Sequence, residues 1–492
     1  MVQERWSRLS GPSRGYLPFL CDENAFLIEN NPDLIYISLK TYVETLLDPS
    51  IPDLAPLTGR DNNRLQVEDR PAHDWYRFVL SFPPHLVRNY LSRFKVGPSA
   101  LVLDPFCGTG TTLVECKKLG IAAVGIEANP VACFASRVKV NWDVQPDGLL
   151  NHARQVASLA LDRLTAEGIQ DAEALPLFSS PHQHVTPVLR PLPDDIDKLL
   201  LKNSISPLPL HKVLVLLDVL DELKNEAFSE CERLALAKAV VFGISNLHFG
   251  PEVGLGAIKT DASVVGTWLK TVEMMVRDLR ELRQKAQVKS LVYQADSRGC
   301  LDFLQPESVD AVITSPPYPN EKDYTRTTRL ESVILGFVRS KQDLRALKQS
   351  LVCSNTRGVY VGDRDDELVA GHEEIQRIAA DIERRRIELN KTSGFERLYP
   401  RVTKLYFGGM SRHLFALRRV LRPGARLAYV VGDQASYLQV MIRTGQILAD
   451  IASSLGYELM GIDLFRTRLA TATRQALREE IVLLRWPGTE KS

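Results

Sequence analysis

Short apolar runs that end on one polar residue recur through the chain and set its frame. Residues 100–103 close on Asp104, 121–126 close on Glu127, 290–293 lead to Asp296, and Val309–Thr314 runs into Ser315. Runs this short with polar ends read as strands buried on both faces, as in a parallel sheet. Between the first two, 111–119 has helical spacing, opened by threonines and closed by Gly120, and Pro130 starts a further helix at its first turn. Further on, 409–421 reads as a helix stopped by Arg422-Pro423-Gly424, 426–431 as a fifth strand, and 444–455 as a helix stopped by Gly456. Residues 457–464 and 480–486 close the pattern as an antiparallel pair. The alternation predicts an α/β fold with a doubly wound, mostly parallel sheet of seven strands.

Two interruptions divide this frame. Residues 143–287 carry helical periodicity at 153–164, 212–224, 230–244 and 262–285, which predicts a large helical insert. Seven prolines between 176 and 209 mark an irregular connection inside it. Residues 323–403 form a smaller basic insert with a helix expected over 375–391 that contains Arg384-Arg385-Arg386. The sheet is thus assigned to 82–142 and 288–486. Residues 1–81, broken by Pro12, Pro18, Pro32, Pro52, Pro56 and Pro71, read as an irregular N-terminal region. Only 82–91, a proline-started helix directly before the first strand, stands out there, placed to cover one edge of a crevice.

Composition narrows the class without choosing a partner. Lysine and arginine number 61 against 60 aspartates and glutamates, so a nucleic-acid partner would be held by a local basic surface. The seven cysteines are scattered, with no CxxC pair and no cysteine–histidine cluster at zinc spacing, which predicts a reduced, metal-free protein. Residues 1–13 are polar and charged where a signal peptide is apolar, and no run reaches bilayer length. The expectation is a cytoplasmic protein without membrane contact.

The strand ends carry the chemistry. Gly108 and Gly110 follow Asp104 where a strand turns into a helix, and glycine there permits a tight turn and close approach of a ligand. The segment matches neither GxxxxGK[ST] nor GxGxxG, because Leu113 stands at the third glycine position. Asp104 with small neighbours suits an ammonium-bearing nucleoside better than a polyphosphate. The same turn would also serve a purely structural strand-to-helix connection. Glu127, about twenty residues on, is placed to accept both hydroxyls of a ribose, and Asp296 to accept from a purine amine. Ser315-Pro316-Pro317-Tyr318 is the most specific segment. An exocyclic base amine is a poor nucleophile because its lone pair is delocalised, so its protons must be accepted while the nitrogen rehybridises. Ser315 Oγ and the Pro316 carbonyl are suitable acceptors, the two prolines fix that carbonyl, and Tyr318 offers a face for a flipped-out base.

The segments Asp104-Pro105-Phe106-Cys107-Gly108-Thr109-Gly110-Thr111-Thr112, Glu127-Ala128-Asn129-Pro130 and Ser315-Pro316-Pro317-Tyr318 resemble the S-adenosylmethionine-dependent DNA methyltransferases that modify exocyclic amines, cytosine N4 or adenine N6. The resemblance covers about 82–142 and 288–486. It implies a seven-stranded methyltransferase sheet and S-adenosylmethionine as cofactor, held by Phe82, Asp104, Phe106, Gly108, Gly110, Thr111, Glu127 and Asp296. It implies Ser315, Pro316, Pro317 and Tyr318 as the catalytic residues, with direct methyl transfer after base flipping. Serine at the first catalytic position leans toward cytosine N4. Carbon-5 enzymes place a cysteine after proline in this loop; here Pro316-Pro317 stands in that place, and Cys107 is expected to be a small loop residue rather than a nucleophile.

DNA contact is expected from the basic insert, through Tyr324, Arg326 and Arg329 next to the catalytic segment and through Arg384, Arg385 and Arg386. The triple arginine equally fits a solvated helix face. Restriction or defence-system proteins are the expected protein partners, and the nucleoid the expected location. An RNA base-amine methyltransferase would share the clamp, and a silent DNA-binding regulator could retain the fold. The polar turn 246–252 in the helical insert carries no assignment.

Overall fold

The computed structural model describes residues 65–78, 81–171, 187–249, 252–299, 301–320, 322–469 and 476–488. Cys21, Cys300, the prolines from Pro12 to Pro56 and the first part of the proline-rich connection lie outside them. The strands are β1 (Leu101–Asp104), β2 (Ala122–Glu127), β3 (Leu247–Phe249), β4 (Val253–Leu255), β5 (Ser290–Gln294), β6 (Val309–Thr314), β7 (Leu421–Gly432), β8 (Glu458–Leu469) and β9 (Ala476–Arg485). β3 and β4 pair as a separate ribbon, and the others form one seven-stranded sheet in the order β5-β2-β1-β6-β7-β9-β8. β5, β2, β1, β6 and β7 are parallel, and β9 runs antiparallel between β7 and β8. From β1 the chain proceeds to β2 and β5 on one side and to β6 and β7 on the other. A crevice opens at such a reversal, outside the carboxyl ends of the strands. The α/β, doubly wound, mostly parallel sheet expected from the pattern is the observed one.

The helices are α1 (Pro84–Arg93), α2 (Thr111–Lys118), α3 (Pro130–Lys139), α4 (Pro146–Ala166), α5 (Pro207–Glu222), α6 (Ser229–Lys238), α7 (Val264–Leu282), α8 (Lys341–Ser350), α9 (Glu373–Glu388), α10 (Tyr399–Leu417) and α11 (Thr444–Ser454). Proline starts α1, α3, α4 and α5, where its missing N–H has no helical partner to lose. Asn129 adds a side-chain cap to α3, accepting from the Val131 and Ala132 amides.

Several boundaries differ from the sequence expectation for physical reasons. The end of the proline-rich connection is already α5, because Pro207 and Pro209 lie in its first turn. α10 begins ten residues before the expected start, within the stretch assigned to the basic insert, again behind a first-turn proline, Pro400. Arg422-Pro423-Gly424 does not end a helix but bulges out of β7, where the pairing jumps from Val309↔Leu421 to Ala311↔Arg426 and Gly424 takes a φ of +89°. β8 and β9 extend past the expected pair as a charged ribbon.

The helical insert is not a separate globule. Leu149, Val240, Trp268 and Val276 belong to the same buried apolar cluster as Val102 of β1 and Ala311 and Ile313 of β6. The described end of the N-terminal region joins it too. Trp75 and Tyr76 are buried, and Trp75 Nε1 donates to Asp278 Oδ2 of α7 at 2.7 Å. Among the described residues no helix is long and apolar enough to cross a membrane.

The second insert seats on α10 through one very close backbone approach. A Cβ on Gly408 would lie 1.8 Å from the Asp365 carbonyl oxygen, so only glycine fits. Gly408→Ala is expected to destabilise the fold by about 3 kcal/mol or more. Gly371→Ala, where nothing lies within 4 Å of the added carbon, should stay within about 0.5 kcal/mol. Denaturant melts of the two variants check the contrast; equal stabilities would refute it.

Candidate active site

The sheet reversal places the two informative segments side by side. A cleft of about 330 Å³ is lined from one side by Phe106, Gly108, Thr109 and Thr111 after β1, and from the other by Ser315, Pro316, Pro317 and Tyr318 after β6. Glu127, Asn129 and Asp296 at the ends of β2 and β5 also reach it, as do Phe82 ahead of α1 and Tyr324 beyond the catalytic segment. Of the site residues expected from the sequence, Phe82, Phe106, Gly108, Thr111, Glu127, Asp296, Ser315, Pro316, Pro317, Tyr318 and Tyr324 line this cleft.

Each acid is held differently. Glu127 accepts from the Gly108 amide at 2.9 Å through Oε2 and from the Asn129 amide at 2.7 Å through Oε1. Gly108 has a φ of +51°, which glycine adopts without strain and which turns its amide onto the carboxylate. Burial raises the Glu127 pKa to about 7 although both amides favour the charged form. Asp104 is fully buried beneath the loop and does not line the cleft. It accepts from Thr314 Oγ1 at 2.6 Å through Oδ1, while Oδ2 has no hydrogen-bond partner. Burial raises its pKa to about 6. Asp296 is gripped by the neighbouring Arg298 guanidinium, with Nη2 to Oδ2 at 2.8 Å.

Gly110 serves packing more than ligand approach. Its φ is +83°, a Cβ would meet Ser136 Oγ at 2.5 Å, and it does not line the cleft. Phe106 rests edge-on against His413 with ring centroids 4.7 Å apart. His413 Nδ1 lies 3.1 Å from the Ser297 carbonyl and Nε2 lies 2.8 Å from the Tyr429 hydroxyl. A carbonyl only accepts, so Nδ1 carries the proton and Nε2 accepts from Tyr429. Burial lowers the His413 pKa to about 4 and keeps the ring neutral.

On the catalytic side, Ser315 Oγ donates to the Val430 carbonyl at 3.2 Å. Its proton is thereby committed, and its lone pairs are left to accept from a substrate amine. Gly432 makes room for Tyr318, since a Cβ there would stand 3.1 Å from Tyr318 Cε2. Burial and the nearby Glu479 carboxylate raise the Tyr318 pKa, so the phenol stays neutral. Lys322, Arg466, Arg468 and Glu479 also line this end. Arg466 Nε donates to Glu479 Oε2 at 2.5 Å, and Arg468 lies 3.4 Å from Oε1. Sequence reading missed these residues, yet the alternation Phe465-Arg466-Thr467-Arg468 is a period-two signal for an extended strand.

The expected nucleic-acid residues are scattered. Tyr324 lines the cleft and the Arg326 Nε is buried without a partner. Arg329 is turned inward: it donates to the Thr325 carbonyl and to the Leu199 carbonyl of the helical insert, each at 3.1 Å. On α9, Arg384 pairs with Asp381 at 2.8 Å, Arg385 with Glu388 at 3.3 Å and Arg386 with Glu383 at 2.6 Å. These are i, i+3 pairs along one helix, so the charge of the triple arginine is matched locally.

The residues fit S-adenosylmethionine. The cleft's cations, Lys322, Arg466 and Arg468, belong to the catalytic end, and the glycine-loop end presents none to a polyphosphate. That end offers acceptors and aromatic faces instead: Glu127, Asp296, Phe82 and Phe106.

Glu127 binds more protons in the folded state than in the unfolded chain between its ordinary range near 4.5 and its folded value of about 7. Stability of the ligand-free protein therefore falls as pH rises through that window. Glu127→Gln should give a shallower fall between pH 5 and 7.5 in urea melts, and an unchanged slope would refute the assignment.

Comparison with known proteins agrees with this geometry. The family model for N6 and N4 methyltransferases, described as "DNA methylase", matches residues 57–137. The chain is 25% identical over 461 residues to the Type II methyltransferase M.BsoBI of Geobacillus stearothermophilus, covering 85% of this chain and 86% of the relative. It is 22% identical to the Type II methyltransferase M.AvaI of Nostoc sp. over 467 residues, 85% of this chain and 87% of the relative. A 76-residue stretch, 15% of this chain and 14% of the relative, is 40% identical to the Type II methyltransferase M.MjaII of Methanocaldococcus jannaschii. With a glycine loop and a Ser-Pro-Pro-Tyr clamp facing one cleft, these similarities support an S-adenosylmethionine-dependent DNA methyltransferase of the kind that acts on exocyclic base amines.

Proposed function

We propose that this enzyme methylates cytosine at N4 in duplex DNA and is the modification partner of a restriction activity. The observation that carries the reading is Ser315 at the head of the clamp, its hydroxyl proton given to Val430 and its lone pairs turned to the cleft it lines. The relatives bear the name Type II methyltransferase, which supports the restriction partnership.

When bound, S-adenosylmethionine supplies an electrophilic methyl group on its sulfonium. The protein's own part is orientation and proton handling. Tyr318 and Tyr324 give a flipped base aromatic surface. Ser315 Oγ and the Pro316 carbonyl accept the two amine protons, which draws the nitrogen lone pair out of ring conjugation and toward the methyl carbon. The N–C bond would form as the sulfonium S–CH3 bond breaks, leaving S-adenosylhomocysteine, and the nitrogen would shed one proton through these acceptors to water. Glu127 holds the ribose hydroxyls and Asp296 the adenine amine, with the loop of Gly108 and Thr109 alongside. For DNA, Arg326 and the exposed Arg384 and Arg385 are the candidate phosphate contacts. Exposed helix ion pairs are worth little, so a phosphate displaces their acidic partners at small cost.

Ser315→Ala should lower methyl transfer by about a hundredfold or more, as loss of a polarising group at a reacting centre does, while leaving S-adenosylhomocysteine affinity within a few-fold. Mass spectrometry of nucleosides from the genome of an expressing host should show N4-methylcytosine. N6-methyladenine in its place would overturn the base assignment, and methyl transfer to RNA alone would overturn the DNA assignment.

A further inference from the structure

The carboxylate at the end of β5 is fixed by a residue outside the cleft. Asp296 Oδ1 accepts from the Arg298 amide at 2.9 Å and from Arg298 Nε at 3.0 Å, and Oδ2 accepts from Nε at 3.1 Å and from Nη2 at 2.8 Å. The Arg298 side chain is only 5% exposed. Its remaining donors cross to the second insert, Nη1 to Asp365 Oδ2 and Nη2 to the Gln349 carbonyl, both at 2.9 Å. The residues after Gln349, namely Ser350, Leu351 and Val352, line the cleft with Asp296 and Ser297, whereas Arg298 does not.

The surroundings are shaped for this fork. A Cβ on Gly409 of α10 would stand 3.3 Å from Asp365 Oδ2 and 3.4 Å from Arg298 Cδ, so the glycine pair of α10 leaves the slot that the ion pair fills. His413, one turn further along α10, donates to the Ser297 carbonyl. The loop after β5 is thus tied to α10 at Ser297 and to the second insert at Arg298, immediately after Asp296. The Nε hydrogen is shared between the two oxygens, so three Arg298 hydrogens meet the roughly four acceptor sites of Asp296 and about one site is left for a proton from the cleft.

We propose that Arg298 is a positioning residue for the adenine end of the cofactor site, aiming Asp296 at a 6-amino purine and holding segment 349–365 as the facing wall. The inference rests on Asp296 as the acceptor for that amine. A planar guanidinium grips both carboxylate oxygens at once, and an ammonium group does not. Loss of the fork would leave Asp296 and Asp365 as neighbouring acids without their shared cation.

Calorimetry with S-adenosylhomocysteine and its 6-oxo analogue, S-inosylhomocysteine, measures the preference for the amine directly. The wild type should favour the amino compound. Arg298→Lys should cut that preference by about tenfold, the scale of coupled neighbouring groups, and Asp365→Asn should cut it less. Equal weakening of both ligands in Arg298→Lys would overturn the proposal, because a general structural role predicts it. Asp296→Asn separates the two layers. A collapsed preference there with an unchanged one in Arg298→Lys overturns the role of Arg298 alone, and an unchanged preference in Asp296→Asn overturns both. Arg298→Met is the stronger test; should it melt below assay temperature, the lysine variant still decides.

Discussion

One buried hydrogen bond joins the two halves of the active cleft. Thr314 Oγ1 donates to Asp104 Oδ1 at 2.6 Å, linking the last residue of β6 to the last residue of β1. Those strands are parallel neighbours, with Val102 opposite Ala311. The glycine loop leaves one of them and the Ser-Pro-Pro-Tyr segment leaves the other. Thr112 Oγ1, in the first turn of α2, adds a second tie to the Ile313 carbonyl at 3.1 Å. In a buried setting such bonds are costly to leave unmade, so the relative position of loop and clamp is set by the sheet and not by the surrounding loops.

The same buried setting explains the charge arrangement. Asp104 and Glu127 both have pKa values raised by burial, to about 6 and about 7, and the nearby Asp104 charge adds to the rise at Glu127. A ligand that brings hydroxyl donors to Glu127, which lines the cleft while Asp104 does not, offsets the burial of that carboxylate. The catalytic end has the opposite character. Lys322, Arg466 and Arg468 gather there around Glu479, where an anionic strand would enter. The cleft is therefore polarised along its length, with carboxylate acceptors at one end and cationic donors at the other.

The sheet was legible because its strands are short buried runs with polar ends, and Leu103, Ile126 and Val312 could sit nowhere but in a core. Glu127, Asp296, Ser315 and Tyr318 were legible because they fall at strand ends, where fold topology alone directs them into the crevice. Asp104 and Gly110 illustrate the limit of that rule: both belong to the loop, but Asp104 faces inward onto Thr314 and Gly110 packs on Ser136, and orientation at that scale depends on partners far away in sequence. Arg329 and the triple arginine show a second limit. A basic cluster in sequence carries no record of the Leu199 carbonyl or of Asp381, Glu383 and Glu388, which take those charges in the fold. Arg298 was silent for the same reason, since its partners Gln349 and Asp365 lie some fifty to seventy residues on.

The inserts look like additions in sequence, but the packing makes them part of the catalytic unit. The helical insert shares the sheet's apolar cluster and reaches the catalytic side through the Arg329 bond to Leu199. The second insert supplies Ser350, Leu351 and Val352 to the cleft wall, and Lys348 of α8 pairs at 2.9 Å with Asp323, the residue that caps the turn carrying Tyr324. Arg298 thus ties this stretch to the loop after β5 at the Gln349 carbonyl and again at Asp365, and Lys348 ties its start to Asp323 beside the catalytic segment. A shift in that stretch has to disturb a buried ion pair at one end or the other, and breaking such a pair is expensive. The second insert therefore holds the loop after β5 and the catalytic segment to one cleft wall through buried ion pairs and hydrogen bonds.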